Sequence, residues 1–150
     1  MSITNDVKNA MMAALGTLGP TSNGTEIQAI VGSGEDAFDE YPVIRVIPTG
    51  VERNVSAETM YRDYQINIVI SIYLDMGDAQ FPDDDVISTI CEIEDAIFER
   101  LDQDDWLPNV KGLALAESAV STTLDTIATK NGTALYCDIL YPLTYRTQIA

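Results

Sequence analysis

Alternation of apolar and polar residues marks the middle of the chain, where residues 61 to 74 read YRDYQINIVISIYL. One face of this segment carries Tyr64, Ile66, Ile68, Ile70, Ile72 and Leu74, and the other carries Asp63, Gln65, Asn67, Ser71 and Tyr73. The pattern predicts a half-buried β-strand. Its fourteen residues would reach roughly 45 Å, whereas a compact domain of this length is under about 40 Å across. A strand longer than its core leaves backbone groups in need of partners, which indicates an assembly subunit.

Two other segments have helical periodicity. The first follows the cap candidates Thr4 and Asn5 and is stopped by Gly16, Gly19 and Pro20. Its apolar residues are Val7, Ala10, Met11, Ala14, Leu15 and Leu18. The second follows three aspartates, Asp83, Asp84 and Asp85, which favour a helix N-terminus. Its predicted buried stripe is Val86, Ile90, Ile93, Ile97 and Leu101. The chain is therefore expected to contain two amphipathic helices.

Further strands are predicted at 27–31, 42–47, 112–126 and 133–146, the last two joined by a turn at Asn131-Gly132. Connections are predicted at 32–40, 48–60 and 76–85. Pro142 argues for an edge or bulge position in the final strand. We predict a single α+β domain over residues 1–150, a two-layer sandwich of a mainly antiparallel sheet with two helices on one face.

The charge balance is strongly acidic, with 8 basic and 24 acidic residues and a net charge of -16. Eleven carboxylates and one base lie between Asp78 and Asp105. Nucleic acid is held largely by Lys and Arg, so specific DNA binding is not expected. The acidity is typical of proteins from high-salt environments, and equally of an acidic mesophilic protein. No apolar run is long enough to cross a membrane, and no export signal is predicted.

The chain contains no histidine, which removes the commonest general base and zinc ligand, so we predict that it is not an enzyme and has no catalytic residues. The segment GSGEDA resembles a dinucleotide loop, but its acids would repel phosphate, and no cofactor is expected. Acidic clusters at 75–85 and 102–105 lack EF-hand spacing, so no dedicated metal site is expected. Cys91 and Cys137 are predicted to be buried thiols.

Candidate interface residues fall in two groups. The first group surrounds the 48–60 connection and consists of Arg45, Arg53, Arg62 and Tyr61. Its arginines could pair within the chain with Glu52, Glu58 or Asp63, or with the acidic second helix of a neighbouring copy. The second group lies in or beside the 76–85 connection and could contact other proteins: Met76, Phe81, Asp83, Asp84 and Asp85.

The order of parts resembles the tail terminator, or tail completion, proteins of long-tailed viruses. The likeness covers nearly the whole chain: an N-terminal helix, YPVIRVIPTG leading to YRDYQINIVISIYLD, the helix VISTICEIEDAIFERL, and the closing ALYCDILYPLTYRTQI. The GSGEDAFDE segment and the acidity depart from the family pattern, and the acidity suggests a virus of a halophilic host.

The resemblance implies a tail-terminator-like fold and a virion protein, assembled in the host cytoplasm and placed at the head-proximal end of the tail. It implies a homo-hexameric ring that stops growth of the tail tube, contacts the tube and neck or stopper proteins, and lets DNA pass without specific binding. No catalytic residues carry over.

Two alternatives remain open at this stage. A head-side neck or stopper ring would share the same sequence features. A ferredoxin-like regulatory or cation-binding domain would belong to another class, and one tight calcium or magnesium site would favour it.

Overall fold

A computed structural model describes residues 3–32, 40–56, 61–77, 79–103, 106, 113–116, 120–121, 124–129 and 132–148. The helices are α1 (Ile3–Leu15) and α2 (Asp84–Leu101). The strands are β1 (Ala29–Val31), β2 (Val43–Ser56), β3 (Tyr61–Gly77), β4 (Leu113–Ala116), β5 (Val120–Ser121), β6 (Asp125–Thr129) and β7 (Gly132–Gln148). The chain therefore has the predicted α+β composition.

The two helices form where the sequence predicts them. α1 begins at Ile3, so Thr4 and Asn5 lie inside the helix and do not cap it. α2 is capped by Asp83, whose Oδ1 accepts a hydrogen bond of 2.9 Å from the Val86 backbone N–H. The predicted stripe of α2 is buried from Ile90 to Leu101, while Val86 is half-buried. At the other end, the Trp106 indole N–H donates to the Leu101 carbonyl over 3.0 Å and helps to satisfy that end of the helix.

The sheet is mixed and has five strand positions in the order β1-β2-β3-β7-β4. Only β1 and β2 are parallel among the described pairs. Strands β4, β5 and β6 each pair with the same edge of β7, because β3 pairs with its other edge. The three short strands therefore occupy one position in the strand order. The prediction of a mainly antiparallel sheet is confirmed.

The prediction of a connection at 48–60 is wrong for residues 48–56, since β2 continues to Ser56 and pairs with β3 as far as Ser56↔Tyr61, and residues 57–60 lie outside the described residues. A β-bulge at Thr49 shifts the register between Pro48 and Gly50. Proline cannot donate to the ladder and glycine adapts to the irregular backbone, so these residues looked like a loop in the sequence. Pairing with β3 keeps them in the sheet.

Two described strands, β4 and β5, pair with β7 on either side of Pro142. β4 pairs with β7 as far as Leu143, and β5 resumes pairing at Leu140. Pro142 has no N–H to donate. It lies opposite Asn67 of β3 without a bulge, and β7 is an interior strand, so the predicted edge or bulge position is wrong. Gly132 pairs with Thr129 and has a φ of 147°. A Cβ there would lie 2.3 Å from the Gly77 carbonyl oxygen, which explains the glycine.

Both helices pack on the same face of the sheet, which we call the helix face. The alternation predicted for β3 is confirmed, since Ile66, Ile68, Ile70, Ile72 and Leu74 join one core cluster with α1, α2 and β7. Cys137 belongs to this core, but Cys91 is exposed, so its predicted burial is wrong. Cys91 follows Ile90 directly, and the next residue of a helix points about 100° away from the buried stripe.

Candidate functional site

The central strands extend well beyond the helices. β3 has 17 residues, or about 56 Å at 3.3 Å each, while the 18 residues of α2 cover about 27 Å. We call the outlying part the arm: residues 50–56 of β2 and 61–67 of β3. At the start of the arm, Ile66 is fully buried, whereas its cross-strand neighbour Val51 is 48% exposed. The helix face therefore loses its cover within the arm.

The Thr49 bulge decides which side chains of β2 face the helices. Before the bulge, Ile44 and Val46 lie on the helix face, and after it Val51 and Arg53 do, because they pair with Ile66 and Tyr64. The Thr49 hydroxyl donates to the Asn67 carbonyl over 3.3 Å and helps to hold this irregular point.

The predicted arginine group is divided between two faces. Arg45 lies on the outer face, opposite the helices, with its guanidinium carbon 5.3 Å from the Tyr73 ring centroid. Tyr73 in turn stacks on Tyr136 at 5.8 Å. Beside this group, Ser71 Oγ donates to Asp138 Oδ1 over 2.6 Å. Arg45 therefore belongs to a cross-strand packing cluster and is separated from Arg53 and Arg62.

Arg53 and Arg62 do lie together, on the helix face of the arm. Arg53 is opposite Tyr64, and Arg62 is two residues from Tyr64 on the same face, which makes the arginines diagonal neighbours about 7–8 Å apart. Glu52 and Asp63 alternate onto the outer face, and Glu58 lies outside the described residues. Strand alternation thus separates Arg53 and Arg62 from Glu52 and Asp63.

Arg62 also has a donor that is not satisfied by the described residues. Its Nε is buried and makes no hydrogen bond to the part of the chain that the structure describes. A buried donor without an acceptor costs roughly 1–3 kcal/mol. Tyr61, the remaining member of this group, begins β3 and pairs through its backbone with Ser56 and Gln148.

The second predicted group lies at the opposite end of β3. Met76 is half-buried against the core, whereas Phe81 is 79% exposed. Asp83 caps α2, and Asp84 and Asp85 stand exposed in its first turn. Negative charge there interacts favourably with the helix dipole. Arg62 and Gly77 are fifteen residues apart in one strand, or about 50 Å. The structure therefore does not bring the two groups together.

The edge of β2 is a feature that the sequence did not reveal. β1 covers β2 only from Val43 to Arg45. From Val46 to Ser56, no other described strand pairs with this edge, which therefore presents backbone donors and acceptors for additional pairing. The sequence missed it because most of this segment was predicted to be a loop.

A groove lies between α2 and the segment that follows α1. It has a volume of about 240 Å³, and its apolar residues include Leu18, Ile27 and Ile93. Three acidic side chains of α2 line it: Glu92, Asp95 and Glu99. Glu92 accepts a hydrogen bond of 2.9 Å from the Ser22 hydroxyl, whereas Asp95 and Glu99 are exposed. We call this the acidic groove.

The outer face of the sheet carries a second, more apolar depression. Ile47, Val69 and Leu140 form a direct cross-strand row, and Leu140 is 46% exposed. Beside the row lies a depression of about 310 Å³ whose lining includes Thr49 and Pro142. In the sequence, these apolar residues stand at positions that strand alternation assigns to the polar face. Apolar residues at those positions were the signal from which this depression could have been predicted.

The ionisable groups of the core are held in their neutral forms. Burial, followed by the nearby Glu94 carboxylate, raises the pKa of Cys137 to about 12, with Sγ 3.5 Å from Glu94 Oε2. Burial, followed by Asp102, raises the pKa of Tyr141 to about 12. Burial, then Glu94 and Asp95, also raises the pKa of Cys91. These thiols are therefore poor nucleophiles at neutral pH.

The described residues contain no group of three or more His, Cys, Asp or Glu side chains able to hold a metal ion. Among the same residues, no helix has both the length and the apolar character needed to span a membrane.

No protein-family model matches this chain, and no curated protein matches it either. The geometry itself shows a strand-built arm on an acidic α+β protein.

Proposed function

We propose that this protein is a structural virion subunit that forms a ring at the head-proximal end of a viral tail. The ring stops growth of the tail tube and joins the tube to the neck. Its mechanism is self-assembly and capping, and the arm is the element that reaches a neighbouring copy.

The observation that carries this proposal is the uncovered arm. The arm keeps full strand pairing between β2 and β3, yet Val51 and Arg53, the helix-face residues of its β2 half, are exposed. From Val46 to Ser56, the outer edge of β2 also pairs with no other described strand. A long strand with an open edge is a template for pairing with another chain, and natural proteins usually cover or shorten such edges. A subunit partner would provide that cover.

The resemblance supplies the particular assembly. The element order α1, β2, β3, α2 and closing hairpin follows the order of parts on which the likeness to tail terminator proteins rests. The net charge of -16 also suits a ring through which DNA passes, because a negative wall does not retain phosphate.

The test is the size of the particle at low and at molar salt, by light scattering and electron microscopy. Each copy carries -16, so repulsion between copies opposes assembly until salt shortens the Debye length from about 10 Å at 0.1 M to about 3 Å at 1 M. We expect rings at molar salt that bind the ends of tail tubes. Monomers at both salt concentrations, even with tail tube present, would contradict the proposal. Rings that bind only neck proteins would favour the head-side alternative.

A further inference from the structure

We infer that the acidic groove of one copy is the docking site for the arm of a second copy. The groove receives Val51 on its apolar floor and the guanidinium groups of Arg53 and Arg62 at its acidic rim. This inference rests on the proposed assembly function and names the surface that the arm contacts.

The two surfaces are complementary in chemistry. Val51 and Arg53 are two residues apart on one face of β2, so an exposed apolar side chain stands about 6.6 Å from a cation. The groove places the apolar Ile93 and Ala96 next to the exposed carboxylates of Asp95 and Glu99. An apolar centre with a charged rim is the usual anatomy of a protein interface.

The spacing of the charges also agrees. Asp95 and Glu99 are four residues apart on α2, which places their Cβ atoms about 5–6 Å from each other. Arg53 and Arg62 are diagonal neighbours about 7–8 Å apart. Because arginine side chains are long and flexible, they can span the difference between these two spacings. Two guanidinium groups can therefore each meet one carboxylate.

The arm cannot fill the groove of its own chain. Arg53 is held opposite Tyr64, and Arg62 opposite Val55 and Thr147, within the β2-β3-β7 ladder. Asp95 and Glu99 stand on the exposed side of α2, whereas Ile90 and Ile97 face the sheet. Folding the arm back would break the strand pairing that forms it. An arm that fills the groove must therefore come from a second copy.

The symmetry of the contact decides what it builds. If two copies exchange arms reciprocally, the contact closes as a dimer, whereas a head-to-tail arrangement generates a ring when the rotation closes. The contact and the ring can therefore be tested separately.

Cysteine cross-linking tests the contact directly. In a Cys91→Ser background, Val51→Cys is paired with Ala96→Cys on the groove, and the control pairs Val51→Cys with Ile127→Cys, which is exposed on the outer face. We expect an intermolecular disulfide in the groove pair and at least about tenfold less in the control. Equal cross-linking in both pairs, or more in the control, would overturn the inference.

Charge exchange provides a second test, measured as the association constant at the lowest salt concentration where the wild type assembles. Arg53→Glu should weaken association by about tenfold or more, and adding Asp95→Arg should restore most of it. The matched control is Glu52→Arg with Arg53→Glu, which keeps the charge of the arm but moves the cation to the outer face. It should fail like the single variant. Association equal to wild type in that control would overturn the inference.

These results separate the two proposals. Rings whose groove pair does not cross-link would overturn the docking site and leave the capping function intact. A cross-linked dimer that never forms rings would support the docking site and contradict the capping function. Circular dichroism of each variant shows that it is folded, which is expected because Val51, Arg53 and Asp95 are all exposed.

Discussion

The two ends of β2 and β3 differ in how much of their helix face is buried. Under the helices, Ile68, Ile70 and Ile72 are buried in the core. In the arm, Tyr64 of β3 still packs against the core, whereas Arg53 opposite it on β2 is exposed. The backbone pairing is continuous across both halves. Strand length is therefore set by pairing, whereas the choice of side chain decides which part is buried in the core and which part is exposed.

The largest expected effect is in the covered half. Ile70→Ala removes a fully buried side chain from the middle of β3, beneath the helices. We expect the free energy of unfolding to fall by about 2–5 kcal/mol, because both burial and packing are lost. Urea unfolding at molar salt measures the change. A loss below about 1 kcal/mol would mean that this half is not the core.

A smaller effect is expected from alkaline pH. The pKa of Tyr141 is 10.0 without the fold and about 12 within it, so the folded state holds this proton more tightly. The stability from this group is complete below pH 10 and is lost as the pH rises through about 12.

The matched variant for this effect is Tyr141→Phe, which keeps the ring and removes the titrating hydroxyl. Unfolding free energies measured between pH 9 and 12 should fall less steeply for Tyr141→Phe than for wild type. Cys137 remains in both proteins and contributes a fall of the same sign, because its pKa rises from 9.0 to about 12. Identical slopes in the two proteins would contradict the role given to Tyr141.

At the N-terminus of α2, Asp83→Ala removes the helix cap and should lower the free energy of unfolding by about 1 kcal/mol. Asp83→Asn keeps an oxygen acceptor and should cost less than half as much. Thermal unfolding of the two variants provides the measurement. If both lose stability equally, then the charge of Asp83, and not its hydrogen bond to Val86, stabilises the helix.

The covered half was largely predictable from the sequence. Alternation identified the buried face of β3, and helical spacing identified the buried stripe of α2. Each pattern could be read because it depends only on residues that are close together in the sequence. The β2 half of the arm was not predictable, because Pro48, Gly50 and the polar residues 52–54 favour a loop on their own. Their strand conformation comes from pairing with β3.

The candidate surfaces needed the structure for related reasons. A single bulge at Thr49 places Arg53 on the helix face and leaves Arg45 on the outer face, and sequence spacing does not reveal such a shift. The acidic groove forms where Leu18 and Ile27 meet α2, a contact between distant segments. The acidic character of the second helix was visible in sequence, but the groove was not.

The smallest expected effect on stability is in the arm. Val51→Ala removes two methyl groups from a half-exposed side chain, so the unfolding free energy of the monomer should change by less than about 0.5 kcal/mol. Association should nevertheless weaken, because Val51 is proposed to pack on a partner. Together with Ile70→Ala, this variant separates folding from assembly. A large loss of monomer stability would place Val51 in the core.

The most direct test of the difference between the two halves is the size of a variant with a shortened arm. Residues 53–64 are replaced by Asn-Gly, so that Glu52 and Gln65, which are already cross-strand partners, become the closing pair of a hairpin. Light scattering at molar salt compares this variant with wild type. We predict a folded monomer for the shortened chain and an oligomer for wild type. A shortened chain that still assembles as wild type does, or one that cannot fold, would contradict the assignment of the arm to assembly.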